Sequence, residues 1–324
     1  MKRRDFIVAL GGAAATWPLR AQQPPGTVIG LLTSTNLADW TTDAIRAGLQ
    51  EQGYAEGRNL TVILRSADGH FERLPELAAD IVNSQVALIF ATGSPVPARV
   101  AKAATVKIPI VFAYGGDPIA DGLVESLNKP GGNVTGATFI GSALLAKRME
   151  LLRQVVPEVT DVALLVNPKG TLAERQIKDA MTAAERLNQR VHVLNMSTLS
   201  EIDTAFEAMK GLKIGAYIVS TDPFFGFIGQ KRLIELAVRY KLPGIFNARE
   251  EAGAGGLMSY GPVLADTWRQ AGVYAGRILK GEKPSELPVM QPTRFQTVIN
   301  LKVAKELGLT IPPSVLTLAD EVIE

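Results

Sequence analysis

Residues 108–138, IPIVFAYGGDPIADGLVESLNKPGGNVTGAT, decide the reading of this chain. The stretch opens as a short apolar run ending at Tyr114. It breaks at Gly115-Gly116 and gives Asp117-Pro118. A carboxylate before a proline suits an N-cap followed by Pro at the first helical position, so a helix is expected after Asp117. A second turn, Pro130-Gly131-Gly132-Asn133, leads into a new apolar strand, 134–138. One polar loop carrying a carboxylate thus sits at the carboxyl end of a buried strand. In open α/β sheets, ligands bind there.

Working outward, strand and helix patterns alternate. Residues 28–32 (VIGLL) form an apolar strand ending in Thr33-Ser34-Thr35-Asn36, and 40–52 read as a helix closed by Gly53. The next strand is 60–64. Leu74, Leu77, Ala78, Ile81 and Val82 follow at the spacing of a buried helical stripe. A strand at 87–91 ends in Thr92-Gly93-Ser94-Pro95, and a helix runs from there to Ala104. Such alternation argues for a parallel sheet with helices on both faces.

The second half repeats the plan. Residues 162–166 (VALLV) end in Asn167-Pro168, 190–194 form a second strand, and 216–220 (AYIVS) end in Thr221-Asp222-Pro223. The run 242–246 (LPGIF) echoes 108–112 (IPIVF). Val28 and Val162 are 134 positions apart, as are Pro109 and Pro243, so the two halves keep one order and spacing. Two lobes of one topology follow, with polar loops at the strand ends of each.

Composition bounds the function. A charged fraction of 20% with 47% hydrophobic residues is that of a globular chain, and 324 residues suffice for two domains. The absence of cysteine excludes disulfides, thiolate metal sites and a cysteine nucleophile. Only His70 and His192 occur, far apart, which excludes a histidine-rich metal site. No cofactor is expected: G-x-G-x-x-G, the Walker A lysine motif and G-x-S-x-G are all missing, and no carboxylate pair is singled out as acid and base. The chain does not read as an enzyme.

The N-terminus reads as an export signal. Lys2-Arg3-Arg4 is followed by an apolar run, 6–17, too short to span a bilayer, which takes about 20 apolar residues. Leu19-Arg20-Ala21 can precede cleavage, so residues 1–21 are expected to be removed. Arg3-Arg4-Asp5-Phe6-Ile7 resembles the twin-arginine motif; an ordinary secretory signal is the alternative. Residues 1–21 carry four bases and one acid, leaving 34−4=30 basic and 32−1=31 acidic residues, a net charge of −1. The basic character belongs to the leader, so no nucleic-acid partner is expected.

The order of VIGLLTST, GLQEQGYAEGRNLTV, ATGSPVPARVAKAAT, the block 108–136, KRMELLRQVVP and GGLMSYG resembles the ABC-transporter substrate-binding family, of the tryptophan/tyrosine type. The resemblance implies a type I periplasmic-binding fold: two similar, hinge-linked Rossmann-like lobes that close on a small solute. The receptor would be a periplasmic monomer presenting its solute to an inner-membrane ABC permease. The solute would be amino acid-like or an aromatic carboxylate. An extracytoplasmic sensor for a signalling partner is the alternative reading.

On that basis, lobe 1 is expected over 26–140 plus 257–283, and lobe 2 over 141–254 plus 284–324. Glycine-containing crossings near 139–142, 253–260 and 283–292 would form the hinge. The cleft candidates are the strand-end residues. In lobe 1 they are Thr35 and Trp40 after the first strand, Thr92, Gly93 and Ser94 for a solute carboxylate, Tyr114, and Asp117 for a solute ammonium. In lobe 2 they are Ser142, Asn167, Thr221, Asp222, Phe224 and Arg249. Aromatic residues at these ends favour a flat solute portion. Capping is the competing role for Ser94, Asp117 and Asp222, lobe packing for Phe139 and Phe227, and a surface ion pair for Arg249.

Overall fold

The computed structural model describes residues 26–139, 144–170 and 172–324. The leader and Ser142 therefore lie outside the described residues. The strands of lobe 1 are five to seven residues long, and the inner ones are apolar because both faces of a parallel sheet are covered by helices. The chain runs β1 (Thr27–Thr33), α1 (Asp39–Glu51), β2 (Leu60–Ser66), α2 (Leu74–Asn83), β3 (Leu88–Thr92), α3 (Pro95–Ala104), β4 (Ile110–Tyr114) and β5 (Val134–Thr138). The sheet order is β2-β1-β3-β4-β5, parallel throughout. Strand order reverses beside β1, between β2 and β3, the position at which such sheets open a ligand crevice.

Lobe 2 continues with α4 (Leu145–Val155), β6 (Asp161–Val166), α5 (Ala173–Leu187), β7 (Arg190–Asn195), α6 (Leu199–Gly211) and β8 (Ala216–Val219). A π-helical turn (Phe224–Ile228) leads to α7 (Gln230–Tyr240), β9 (Gly244–Phe246), α8 (Arg249–Gly253) and β10 (Met258–Pro262). The chain returns to lobe 1 as α9 (Leu264–Leu279). It ends in lobe 2 as β11 (Phe295–Asn300), α10 (Leu301–Leu307), α11 (Pro313–Leu316) and β12 (Glu321–Ile323). The second sheet runs β12-β11-β10-β9-β8-β6-β7, with β10 and β11 its antiparallel pair. Each sheet has one apolar cluster on either face.

Three expectations are corrected. Strand β10 pairs with β9 and β11, so 258–262 belongs to lobe 2, not lobe 1. Leu287 and Val289 are buried in the lobe 1 clusters, and Thr135 donates to Leu287 O at 2.7 Å, so 284–290 belongs to lobe 1. The second and third crossings therefore fall between β10 and α9 and just before β11. Finally, no helix follows Asp117. Its Oδ1 caps one turn, accepting from Ile119 N (3.1 Å) and Ala120 N (3.2 Å). Leu123 N then closes on Pro118 O at 2.9 Å, and Gly122 turns at φ +70°. That turn sends Leu123 and Val124 into the core, a burial that continued helix would prevent.

Helix α9 is locked to α1 by glycine. A Cβ on Gly48 would fall 1.9 Å from Arg269 O, and one on Gly272 would fall 2.3 Å from Ile45 O. The two backbones touch, and Trp268, Ala271 and Ala275 reach the sheet. Gly272→Leu is expected to cost about 3 kcal/mol or more, the upper range for overpacking. Urea unfolding measures it; a loss below about 1 kcal/mol would contradict this packing.

Candidate functional site

Parallel pairing places the carboxyl ends of β1, β3 and β4 on one side of lobe 1, and those of β6, β8 and β9 on one side of lobe 2. These ends meet. A Cβ on Gly115, after β4, would come within 3.3 Å of Thr221 Cγ2, after β8. Beside it, Arg175 of α5 donates from Nη1 to Asp117 Oδ2 at 3.4 Å. This ion pair bridges the lobes, and both partners are partly exposed, so it contributes at most about 1 kcal/mol.

The lobe 1 floor is made of hydroxyls and glycine. Thr92 is buried and donates to Ala113 O at 2.8 Å, which ties β3 to β4. Gly93 turns at φ +92°, and a Cβ there would lie 2.4 Å from Ser34 Oγ, so only glycine lets the β1 and β3 ends close up. Ser94 caps α3, accepting from Val96 N. Helix α3 thus begins at this edge and turns its partial positive end toward it. The hydroxyls of Ser34, Thr35 and Thr41 are shielded from solvent and lack partners among the described residues. Thr33 donates to Thr35 O at 2.6 Å and fixes that turn.

In lobe 2, Asp222 Oδ1 accepts from Asn167 Nδ2 and from Phe224 N, each at 2.9 Å. Burial raises this carboxyl above its ordinary range, and the two hydrogen bonds pull the other way. Its Oδ2 accepts no hydrogen bond from the described residues and lies where a Cβ on Gly170 would be only 2.4 Å away. Thr221 is held from several sides. Its N donates to Gln176 Oε1 at 2.6 Å, its O accepts from Gln176 Nε2 at 3.1 Å, and its Oγ1 donates to Asn247 Oδ1 at 3.0 Å. Behind it lie Arg148 and Glu251, both buried.

Several site expectations are corrected. Tyr114 is buried in the lobe 1 core, because strand alternation turns it inward; its hydroxyl donates to Asp121 Oδ2 at 2.7 Å, and burial pushes its pKa up. Phe224 packs in the lobe 2 core, edge-on to Phe225. Phe139, by contrast, packs within lobe 1 as the lobe-packing reading has it, on Trp268 with ring centroids 5.1 Å apart. Arg249 binds Glu321 of β12 through two hydrogen bonds, at 2.8 and 2.7 Å, and so serves the sheet edge. Trp40, Phe139 and Tyr260 are half-buried, each packed against a lobe core. Thr35, Thr92, Gly93, Ser94, Asp117, Asn167, Thr221 and Asp222 all lie at or just after strand carboxyl ends, and of these Asp117 and Thr221 make contacts with the other lobe. Ser34, Thr41, Arg148, Gln176, Asn247 and Glu251 were missed. Two surface hollows lie elsewhere: one, lined by Lys107, Pro109, Asn133 and Lys283, is at the amino ends of β4 and β5, away from these loops.

A two-lobed α/β frame with polar strand ends apposed across a cleft defines a solute-receptor architecture of the type I periplasmic-binding class. Residues 29–323 match the family model described as ABC transporter substrate binding protein, and the chain belongs to that family. It is 28% identical over 262 residues to a tyrosine-binding protein of Clostridioides difficile, covering 81% of this chain and 74% of that one. A Streptococcus pneumoniae ABC domain in complex with L-Trp superposes with a TM-score of 0.83 at 27% identity, covering 92% of this chain and all of that one. A ligand-free, open substrate binding protein with adhesive properties, from Clostridium difficile, superposes at 0.67 with 24% identity, covering 92% and 99%. Family members bind solutes and are not enzymes. No helix among the described residues is long and apolar enough to cross a membrane.

Glu251 gives the site a pH signature. Its Oε2 accepts from Asn247 N and Ala248 N, both at 2.8 Å, yet burial pushes its pKa from 4.5 up to about 7. The folded chain therefore keeps a proton that the unfolded chain releases. Stability from this group is fully present below about pH 4.5 and is lost as pH rises through about 7. At about 1.4 kcal/mol per pKa unit, wild type should lose on the order of 3–4 kcal/mol relative to Glu251→Gln across that window. Urea unfolding at several pH values measures this; parallel stability curves would contradict it.

Proposed function

We propose that this chain is the exported, monomeric solute receptor of an ABC importer. Its solute on this reading is an aromatic amino acid held between the lobes. The apposition of Gly115 and Thr221, strand end against strand end, carries the reading, because it makes a cleft lined from both lobes. The L-Trp complex and the tyrosine-binding relative support the solute class. The short apolar run after Lys2-Arg3-Arg4 supports export. N-terminal sequencing of secreted material should begin near Gln22; a retained Met1 would overturn that part.

The polar ends of the solute divide between the lobes. Asp117 has one oxygen on its own turn and the other on Arg175. Asp222 has one oxygen without a partner among the described residues, on a carboxylate already fixed by Asn167 and Phe224 N, and is the better partner for an ammonium. The amino end of α3, with Gly93 and Ser94, suits the carboxylate. The end of β1, with Ser34 and Thr33 against Gly93, stands beside it.

Calorimetric titration of the chain from Gln22 tests this. L-Trp or L-Tyr should bind with a Kd of about 1 μM or tighter, and myo-inositol should give no heat. Asp222→Asn should weaken binding about tenfold to a hundredfold, the scale of a hydrogen bond to a charge. Asp117→Asn should cost less than about fivefold, the scale of an exposed ion pair. Sugar binding without amino acid binding would overturn the solute class. A larger effect at Asp117 than at Asp222 would reverse the assignment.

A further inference from the structure

Arg148, on the first turns of α4, has no exposed surface. Its Nε donates to Tyr260 O at 2.8 Å and its Nη1 to Thr221 Oγ1 at 3.4 Å, while Nη2 has no partner among the described residues. It forms no ion pair within 4 Å among the described residues; the Glu251 carboxylate acts on it from farther off. Burial pulls its pKa down to about 10, and that carboxylate opposes the shift.

A guanidinium in this position is costly to the fold. Buried ions are often replaced by apolar side chains of similar volume at no loss of stability, and sometimes with a gain. What this cation touches explains its presence. Tyr260 lies in β10, the last strand before the chain crosses back to lobe 1. Thr221 is the lobe 2 side chain that meets Gly115 of lobe 1. One rigid, planar group therefore joins a hinge strand to the cleft contact, and Thr221 passes the link on to Asn247 at 3.0 Å. Guanidinium geometry suits this role, since its donors leave in fixed directions from one plane.

We propose that Arg148 is a positioning residue for closure: it holds Thr221 at the cleft floor in a fixed relation to β10, so that the movement of the crossing strand and the presentation of the cleft surface are coupled. The coupling belongs to the two-lobed frame itself; only its effect on affinity rests on the amino acid reading above.

The chain has no cysteine, so Glu72→Cys and Lys231→Cys introduce one unique label site on each lobe, at side chains 76% and 92% exposed. Distances between spin labels at these sites report the lobe arrangement with or without solute. The test variant is Arg148→Met with Glu251→Gln, which removes the cation without stranding a carboxylate. Its melting temperature should stay within a few degrees of wild type. Its interlobe distance distribution should broaden toward longer distances, and its affinity for L-Trp or L-Tyr should fall about tenfold, the scale of a hydrogen bond to a charged group. Thr221→Val keeps the methyl that meets Gly115 and removes the acceptor of the Arg148 bond. It should reproduce the broadened distribution, and combining it with Arg148→Met and Glu251→Gln should add little. A wild-type distance distribution in either variant overturns the proposal. So does additivity of the two effects, since they would then act independently. If wild type binds neither amino acid while both variants broaden the distribution, the solute assignment fails and the role of Arg148 stands.

Discussion

Parallel strand pairing is the constraint on which the rest of this structure depends. A parallel pair cannot be joined by a tight turn, so each strand is followed by a long crossover, a helix in most cases and the turn-rich segment 115–133 between β4 and β5, that carries the chain back across a sheet face. Every strand then delivers its carboxyl end, with whatever polar loop follows it, to the same side. Lobe 1 obeys this without exception, and lobe 2 departs from it at the β10–β11 pair. That departure sits where the chain leaves lobe 2 and later re-enters it. Direction is therefore reversed at the hinge, and the binding edge of each sheet stays free of returning strands.

The same constraint sets the chemistry of the cleft. Strand ends supply glycines, hydroxyls and amides, and helices beginning there supply partial positive charge. Charge at these strand ends includes the Asp117–Arg175 pair and Asp222, with Arg148 and Glu251 sealed behind Thr221. Such an edge can recognise the polar head of a small solute. Membership of a solute-binding family agrees with that chemistry.

Much of the frame was legible because its signals are local. Apolar runs gave the strands, and Thr, Ser, Asn and Asp after them gave the binding edge. The misreadings share one cause, which is that direction within an element is decided by packing. Tyr114 and Phe224 stand at strand ends yet turn into the cores, where Asp121 and Phe225 receive them. Asp117-Pro118 carries a helix-start signal, but burial of Leu123 and Val124 outweighs continuation of the turn. The lobe boundary at 257 failed because strand pairing across a crossing leaves no composition signal. Arg148 did leave one: it falls on the same helical face as Leu145, Met149, Leu152 and Val155, all buried, so a cation interrupts an apolar stripe. Ser34, Thr41 and Gln176 left none, since each is an ordinary loop or helix residue until the fold encloses it.

The central claim is that solute is held where Gly115 and Thr221 come together, and one substitution tests it directly. Nothing in the backbone of Gly115 requires glycine, but a leucine there would collide with Thr221 across the cleft and with Phe139 beside it. Calorimetric titration of Gly115→Leu with the amino acid that wild type binds should give no measurable heat at concentrations that saturate wild type, while the free protein melts within a few degrees of wild type. Wild-type affinity in Gly115→Leu would contradict the account, because the solute would then be bound somewhere other than between these strand ends.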